Sequence, residues 1–180
     1  MKVKRLSPEV FCCEEPIVKV DSSYIKNLIK KSETCSKKRI RLCAHRTMED
    51  RIHEMLLVLL GGSYIRPHKH INKNESYHVI EGYCDMVLFY DDGTIMDIIE
   101  LGEYGSGKHF FLRISDLYFH SFIIHSSYVV FHETTNGPFN KSDTIFADWA
   151  PEENDVEKSL AYISLLDSSI NEWKAKNICI

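Results

Sequence analysis

The sequence predicts an all-β domain, a sandwich or a small barrel, with a short helix packed outside it near each end. Three observations predict this. Short apolar runs recur at residues 40–43, 55–60, 77–80, 86–90, 95–101, 110–114, 119–124 and 128–131. Turn-forming residues separate them, including Gly61-Gly62, Glu81-Gly82, Asp91-Asp92-Gly93 and the stretch from Gly102 to Gly107. Many short strands at this spacing make a sandwich or a small barrel. Helical periodicity occurs only outside this region.

In chain order, residues 1–16 read as an irregular arm. Asp21 and Ser22 are helix N-cap types, and Tyr24, Ile25, Leu28 and Ile29 then share one face. They predict a helix of about three turns, ending near Ser32 and closing one end of the barrel. Within the barrel, Asp92-Gly93 between two apolar runs signals a hairpin. After Pro151, Val156, Leu160 and Ile163 form a stripe at i, i+4 and i+7, a second helix laid on the barrel's outside. The resulting division is an arm and helix over 1–35, a barrel over 36–150 and a helical tail over 151–180.

The chain has 180 residues, 44% hydrophobic and 27% charged, enough for one domain with a core. A net charge of −4 argues against nucleic-acid and anionic-membrane partners, which require clustered Lys and Arg. The one basic cluster, Lys37-Lys38-Arg39 with Arg41, reads as a solvated face. No stretch approaches the roughly 18 apolar residues of a membrane span, and the N-terminus lacks an apolar signal region. Cysteines at 12, 13, 35, 43, 84 and 179 form no C-x-x-C pair, so reduced thiols in a cytoplasm are expected.

The chemistry lies in the histidines. His68 and His70 stand two apart, and residues i and i+2 of a strand share a face about 7 Å apart. Both rings can therefore meet one ion at about 2.0–2.1 Å. Glu75 follows the turn-like Ile71-Asn72-Lys73-Asn74, and a hairpin would return its carboxylate beside the two rings. With Gly62 and Gly82 the string reads G-x(5)-H-x-H-x(4)-E-x(6)-G, the first motif of the cupins, with every fixed position filled. The looser second motif ends in a fourth ligand. His120 stands at that place, although Ser115-Asp116-Leu117 replaces the usual Pro-x-Gly turn; His125 and His132 compete for the role. Three neutral imidazoles and a carboxylate suit one divalent Zn, Fe, Mn, Ni or Cu ion. They leave open positions where a substrate oxygen or dioxygen can bind. Such ligands must be deprotonated, so metal should be lost below about pH 6.

Strand alternation puts Tyr64 and Arg66 on the face of His68 and His70, and Tyr77 on that of Glu75. Arg66 there either receives a substrate carboxylate or phosphate or makes a salt bridge with a strand-face acid. Tyr77 either fills the barrel or moves a proton.

Beyond the motif, the chain resembles the WbuC-type cupin metalloproteins of bacteria from about Pro16 to Leu166. The resemblance rests on Glu14 to Val18, Ser36 to His45 and Gly62 to Glu75. It continues through Phe111-Leu112-Arg113, His132-Glu133, Gly137-Pro138-Phe139 and the distinctive Phe146 to Glu152. It departs at Ser115-Asp116-Leu117 and at Asp148, where the family usually has Pro. The resemblance implies a double-stranded β-helix, the cupin jelly-roll barrel, holding one metal. It also implies an association with O-antigen or capsular polysaccharide gene clusters and, as cupins often pair, a homodimer. Arg113, His132 and Glu133 match family positions and become candidates for the pocket rim.

Three functional readings follow. The first is a metal-dependent enzyme acting on a sugar or sugar nucleotide, as an isomerase or epimerase, with His132, Glu133 or Tyr77 moving a proton and Tyr64, Arg66 and Arg113 binding substrate. The second is a non-catalytic, metal-dependent carbohydrate-binding or sensing module. The third is an Fe(II)-dependent dioxygenase. Fold cannot choose among them.

Overall fold

In a computed structural model describing residues 1–177, two sheets face one another. The strands are β1 (Val3–Arg5), β2 (Val10–Cys13), β3 (Arg39–Cys43), β4 (Ile52–Leu60), β5 (His68–His70) and β6 (Glu75–Glu81). They continue as β7 (Tyr83–Phe89), β8 (Ile95–Gly102), β9 (Phe111–Ile114), β10 (Phe119–Ile124), β11 (Tyr128–Asn136) and β12 (Thr144–Phe146). One sheet runs β1-β2-β3-β4-β11-β6-β9 and the other β12-β5-β10-β7-β8. The inner faces meet in a core that includes Met55, Leu57, Tyr77, Met86, Phe122 and Phe131. The expected β7–β8 hairpin is present, and Gly93 takes φ +88° at its turn, where a side chain would also strike Trp149.

Two helices cover the outer faces. Helix α1 (Ser22–Glu33) is capped by Asp21, whose carboxylate accepts from the Tyr24 N–H at 2.9 Å. Its Ile25 and Leu28 pack on the outward residues Ile40, Leu42, Val58 and Val130 of the larger sheet. Helix α2 (Val156–Asn177) covers Val87, Phe89, Phe119 and Ile123 of the smaller sheet with Leu166 and Ile170. Each fully buried side chain of this kind contributes about 1.5–3 kcal/mol. Lys174 pins the helix to the barrel through buried Asp85 at 2.8 Å, which His125 also meets at 2.8 Å.

Three expectations need correction. The N-terminal arm is partly sheet: β2 pairs in parallel with β3, a long-range contact with no local sequence signature. The α2 stripe is displaced, because Val156 and Leu160 are exposed and the docked face carries Ser159, Ile163, Leu166 and Ile170. Finally, β5 and β6 form no hairpin. They belong to different sheets, so residues 71–74 cross the barrel corner. Asn72 makes that corner in the left-handed region (φ 58°), and the Asn136 side chain ties it by accepting from the Asn74 N–H and donating to the Asn72 carbonyl.

The cysteines at 12, 13, 35, 43 and 84 are free and buried, while Cys179 lies outside the described residues. No helix among the described residues is long and apolar enough to cross a membrane.

Candidate metal centre

Strand β5 lies between β12 and β10, with His68 directly opposite His120. His70, two residues along, faces the same way. The ring centroids are 4.6 Å apart for His68 and His120 and 4.9 Å for His68 and His70. One nitrogen from each of the three rings falls within 4.8 Å of the others. Glu75 arrives from the opposite sheet at the start of β6. Its Oε1 lies 3.3 Å from His70 Nε2 and its Oε2 lies 3.3 Å from His120 Nε2. The corner crossing therefore does what the expected hairpin was meant to do, by another route.

The surrounding hydrogen bonds prepare the rings as ligands. His68 Nδ1 donates to the Arg66 carbonyl at 2.8 Å, and His120 Nδ1 donates to the Tyr118 carbonyl at 3.1 Å. A carbonyl only accepts, so each proton sits on Nδ1 and each Nε2 keeps a free lone pair. His70 Nδ1 is held at 3.0 Å by the Thr144 hydroxyl of neighbouring β12. His120 Nε2 is buried without a hydrogen-bond partner among the described residues. His53 Nε2 is a buried orphan too, but only at His120 do two further rings converge so that one ion between them would satisfy the nitrogen.

The electrostatics agree. Burial, reinforced by His120 and His70, depresses the His68 imidazole to about 3 and keeps it neutral. Burial likewise lowers His70. Burial would raise Glu75, but close contact with His120, followed by the charges of His70 and His68, holds it at about 2. At His120 burial opposes charge, yet Glu75 outweighs it and the pKa rises. An ionised carboxylate thus draws positive charge to this point, either a proton on His120 or a dication among all four groups. Three imidazoles and one carboxylate fit Zn, Fe, Mn or Ni, and the donor set does not choose among them.

The centre opens onto a cavity of about 480 Å³ lined by His68, His70, Glu75, Tyr77, Glu133 and Arg41. Tyr77 is buried edge-on to Phe122 at 5.3 Å and fills the barrel beside Glu75. Glu133 is 5% exposed on the inner face of β11, diagonally across from Glu75. Burial pushes its carboxyl up to about 7, Arg41 opposing and Glu75 adding to the rise. A carboxyl poised near neutrality inside a cleft can take up or give a proton.

The other expected pocket residues lie elsewhere. His132 and Glu133 are adjacent in one strand, so only one can face inward. His132 points out, 3.6 Å from Glu54. Arg113 alternates with the inward Leu112 and Ile114, is exposed, and donates to Ser115. Tyr64 and Arg66 precede β5, where the chain is not yet a strand and parity fails. The Tyr64 hydroxyl donates to the Pro151 carbonyl at 2.8 Å. Arg66 donates to the Ala147 carbonyl at 2.7 Å and pairs with Glu152 at 2.7 Å, the salt-bridge alternative of its two readings. The missed residue is Arg41. Its place in β3, out of phase with the outward Ile40 and Leu42, was the available signal.

Residues 20–101 match the family described as Domain of unknown function (DUF6016), a span that includes His68, His70 and Glu75 and stops before His120. No curated protein matches. Among solved structures, protein SO0799 from Shewanella oneidensis is 11% identical with a TM-score of 0.51, covering 66% of this chain and 84% of that one. The capsular polysaccharide assembling protein CapF from Staphylococcus aureus is 23% identical with a TM-score of 0.45, covering 54% of this chain and 27% of that one. An oxalate decarboxylase from B. subtilis is 17% identical with a TM-score of 0.42, covering 54% of this chain and 24% of that one. The chain thus spans about a quarter of the length of the CapF and decarboxylase chains it matches. Of these three, only the SO0799 likeness reaches a TM-score of 0.5, and at 11% identity it bears on fold alone. Two facing sheets closed into a jelly roll, with three histidines able to hold a metal inside, are the cupin fold.

Proposed function

We propose that the chain is a metal-dependent enzyme acting on a sugar or sugar nucleotide in bacterial surface-polysaccharide biosynthesis, as an isomerase or epimerase. One observation carries the catalytic part: the four-residue metal centre opens onto a cavity of about 480 Å³ that also holds a carboxyl poised near 7, Glu133. The polysaccharide part rests on the resemblance to WbuC-type cupins carried by Ser36 to His45, Gly62 to Glu75 and Phe146 to Glu152.

A divalent ion held by His68, His70, Glu75 and His120 supplies Lewis acidity toward a sugar carbonyl or hydroxyl oxygen. Glu133 sits on the strand next to Glu75, about 7–8 Å away along the diagonal. From that place the Glu133 carboxyl would take or return a proton at a sugar carbon bound in the cavity. Tyr77, Phe122 and Leu57 wall the cavity and exclude water from the exchange.

The test is turnover of a panel of sugars and nucleotide sugars by protein purified without a histidine tag, after elemental analysis has identified its metal. Turnover should disappear on chelation, return with the native ion, and fall about 100-fold or more in E133Q at unchanged metal content. A fully metal-loaded protein that binds sugars but converts none would replace this reading with a carbohydrate-binding module.

A further inference from the structure

Four cationic side chains line the cavity: Lys37, Arg39, Arg41 and Lys73. Lys37 and Arg39 both end on Glu153, at 3.0 and 2.7 Å. Lys73 donates to the Asn136 and Pro138 carbonyls. Arg41 has neither an ion-pair partner nor a side-chain hydrogen bond among the described residues. Of the cavity's four acids, Glu75 faces the histidines, Glu153 is shared by two cations, and Glu9 accepts from the Ser7 hydroxyl. The fourth, Glu133, feels the charge of Arg41 but forms no ion pair with it among the described residues, and burial favours its neutral form.

Arg41 is also well placed. It pairs with Leu57 across β3 and β4 on the pleat face that lines the cavity, and its side chain is exposed there to solvent. From β6, which carries Glu75, the larger sheet runs through β11 and β4 to β3. The registers put Arg41 in one row with Leu57, Phe131 and Val79, so three strand spacings across the sheet and four residues along β6 separate it from Glu75. The glutamate and arginine side chains reach into this interval from opposite ends. The charge of Arg41 is felt at His70, Tyr77 and Glu133, so it shares their space.

We infer that Arg41 is the anion-recognition residue of this cavity, gripping a phosphate or carboxylate of a sugar whose neutral end lies at the His68, His70, Glu75 and His120 centre. A planar guanidinium suits such an oxyanion through two parallel hydrogen bonds. The cavity volume falls within the range of small-ligand sites. The inference rests on the sugar reading above and narrows it to acidic or phosphorylated sugars, with Arg41 doing what strand alternation assigns to Arg66.

Calorimetric titration of the zinc-loaded full chain with glucose 1-phosphate, glucuronate, glucose and inorganic phosphate tests it. At least one anionic sugar should bind about tenfold or more tightly than glucose, a factor within reach of one charge-assisted pair. The tighter of the two identifies the anion as phosphate or carboxylate. R41Q should erase that advantage at unchanged zinc content, and R41K should restore part of it. Equal binding of both anionic sugars by R41Q and wild type overturns the inference, and glucose binding by both proteins then leaves the sugar reading standing. Arg41-dependent binding of inorganic phosphate without any sugar keeps the subsite and removes the sugar reading. No binding of any probe overturns both.

Discussion

Two histidine clusters line the same cavity, and they are built differently. His68, His70 and His120 converge at interplanar angles of 78°, 53° and 50° with Glu75 among them, and two of the three donate Nδ1–H to a backbone carbonyl. His45 and His53 lie flat against each other, centroids 3.9 Å apart and planes 8° from parallel. Stacked rings direct their nitrogens side by side rather than toward a common point, and no carboxylate among the described residues reaches either ring within ion-pair distance. Both clusters are largely buried, so burial does not make a metal centre. What does is an unprotonated nitrogen on each ring, aimed at a shared point beside an anion.

Substitution should separate the two most sharply. Replacing His120 with Ala removes one of four ligands at the buried end of the centre, and zinc affinity should fall by well over about 100-fold, more than the loss of an outer partner costs. Replacing His53 with Ala should leave zinc stoichiometry at one per chain and affect only stability. Competition against a fluorescent chelator reads both. Comparable zinc loss in the two variants would show that the stacked pair belongs to the centre.

Acid should draw a second distinction. Burial lowers His45, with His53 adding to the effect, and burial lowers His53 itself, with Lys73 adding. A histidine depressed in the folded state binds protons more readily once unfolded. Its contribution to stability is therefore intact above about 6.5, the unfolded value, and is lost as pH falls toward the folded value. In chelator-treated protein, the thermal midpoint should decline from pH 7 to pH 5, and the decline should be shallower in an H45Q/H53Q double variant. An equal slope in both proteins would remove the pair from the acid response. The metal centre responds by occupancy instead, because protons compete for its nitrogens, and dialysis at pH 4.5 should strip the ion.

Three of the four residues of the centre were legible in the sequence because their geometry is local, while His120 reaches it through the long-range pairing of β10 with β5. His68 and His70 need only a strand between them, and Glu75 needs only a short crossing. The same alternation rule misplaced Tyr64 and Arg66, since the ladder begins at His68 and the chain before it turns to meet Pro151, Ala147 and Glu152. For His132 and Glu133 the alternation was available and decisive: adjacent strand residues face opposite ways, and Glu133 took the inside. Arg41 was hidden by composition, because a run of Lys and Arg looks solvated until its neighbours find Glu153 and one member is left facing the cavity. The β2–β3 pairing was invisible for a different reason. Parallel strands joined by a helix and more than twenty residues leave no turn signal between them.

The smallest effect concerns two threonines near the same ligands. Thr144 lies opposite His70 in β12, and its hydroxyl holds His70 Nδ1 at 3.0 Å. Thr135 lies opposite Glu75 in β11, but its buried hydroxyl has no partner among the described residues. Valine keeps the branched shape that a strand favours and deletes only the hydroxyl in each case. T144V should free the His70 ring and weaken zinc binding about 10- to 100-fold, as loss of an outer hydrogen bond to a ligating histidine does. T135V removes an unsatisfied buried group, so it should leave zinc affinity unchanged and raise the thermal midpoint slightly. If both variants bind zinc like the parent, His70 is oriented by strand packing alone, and the Thr144 bond is incidental to the centre.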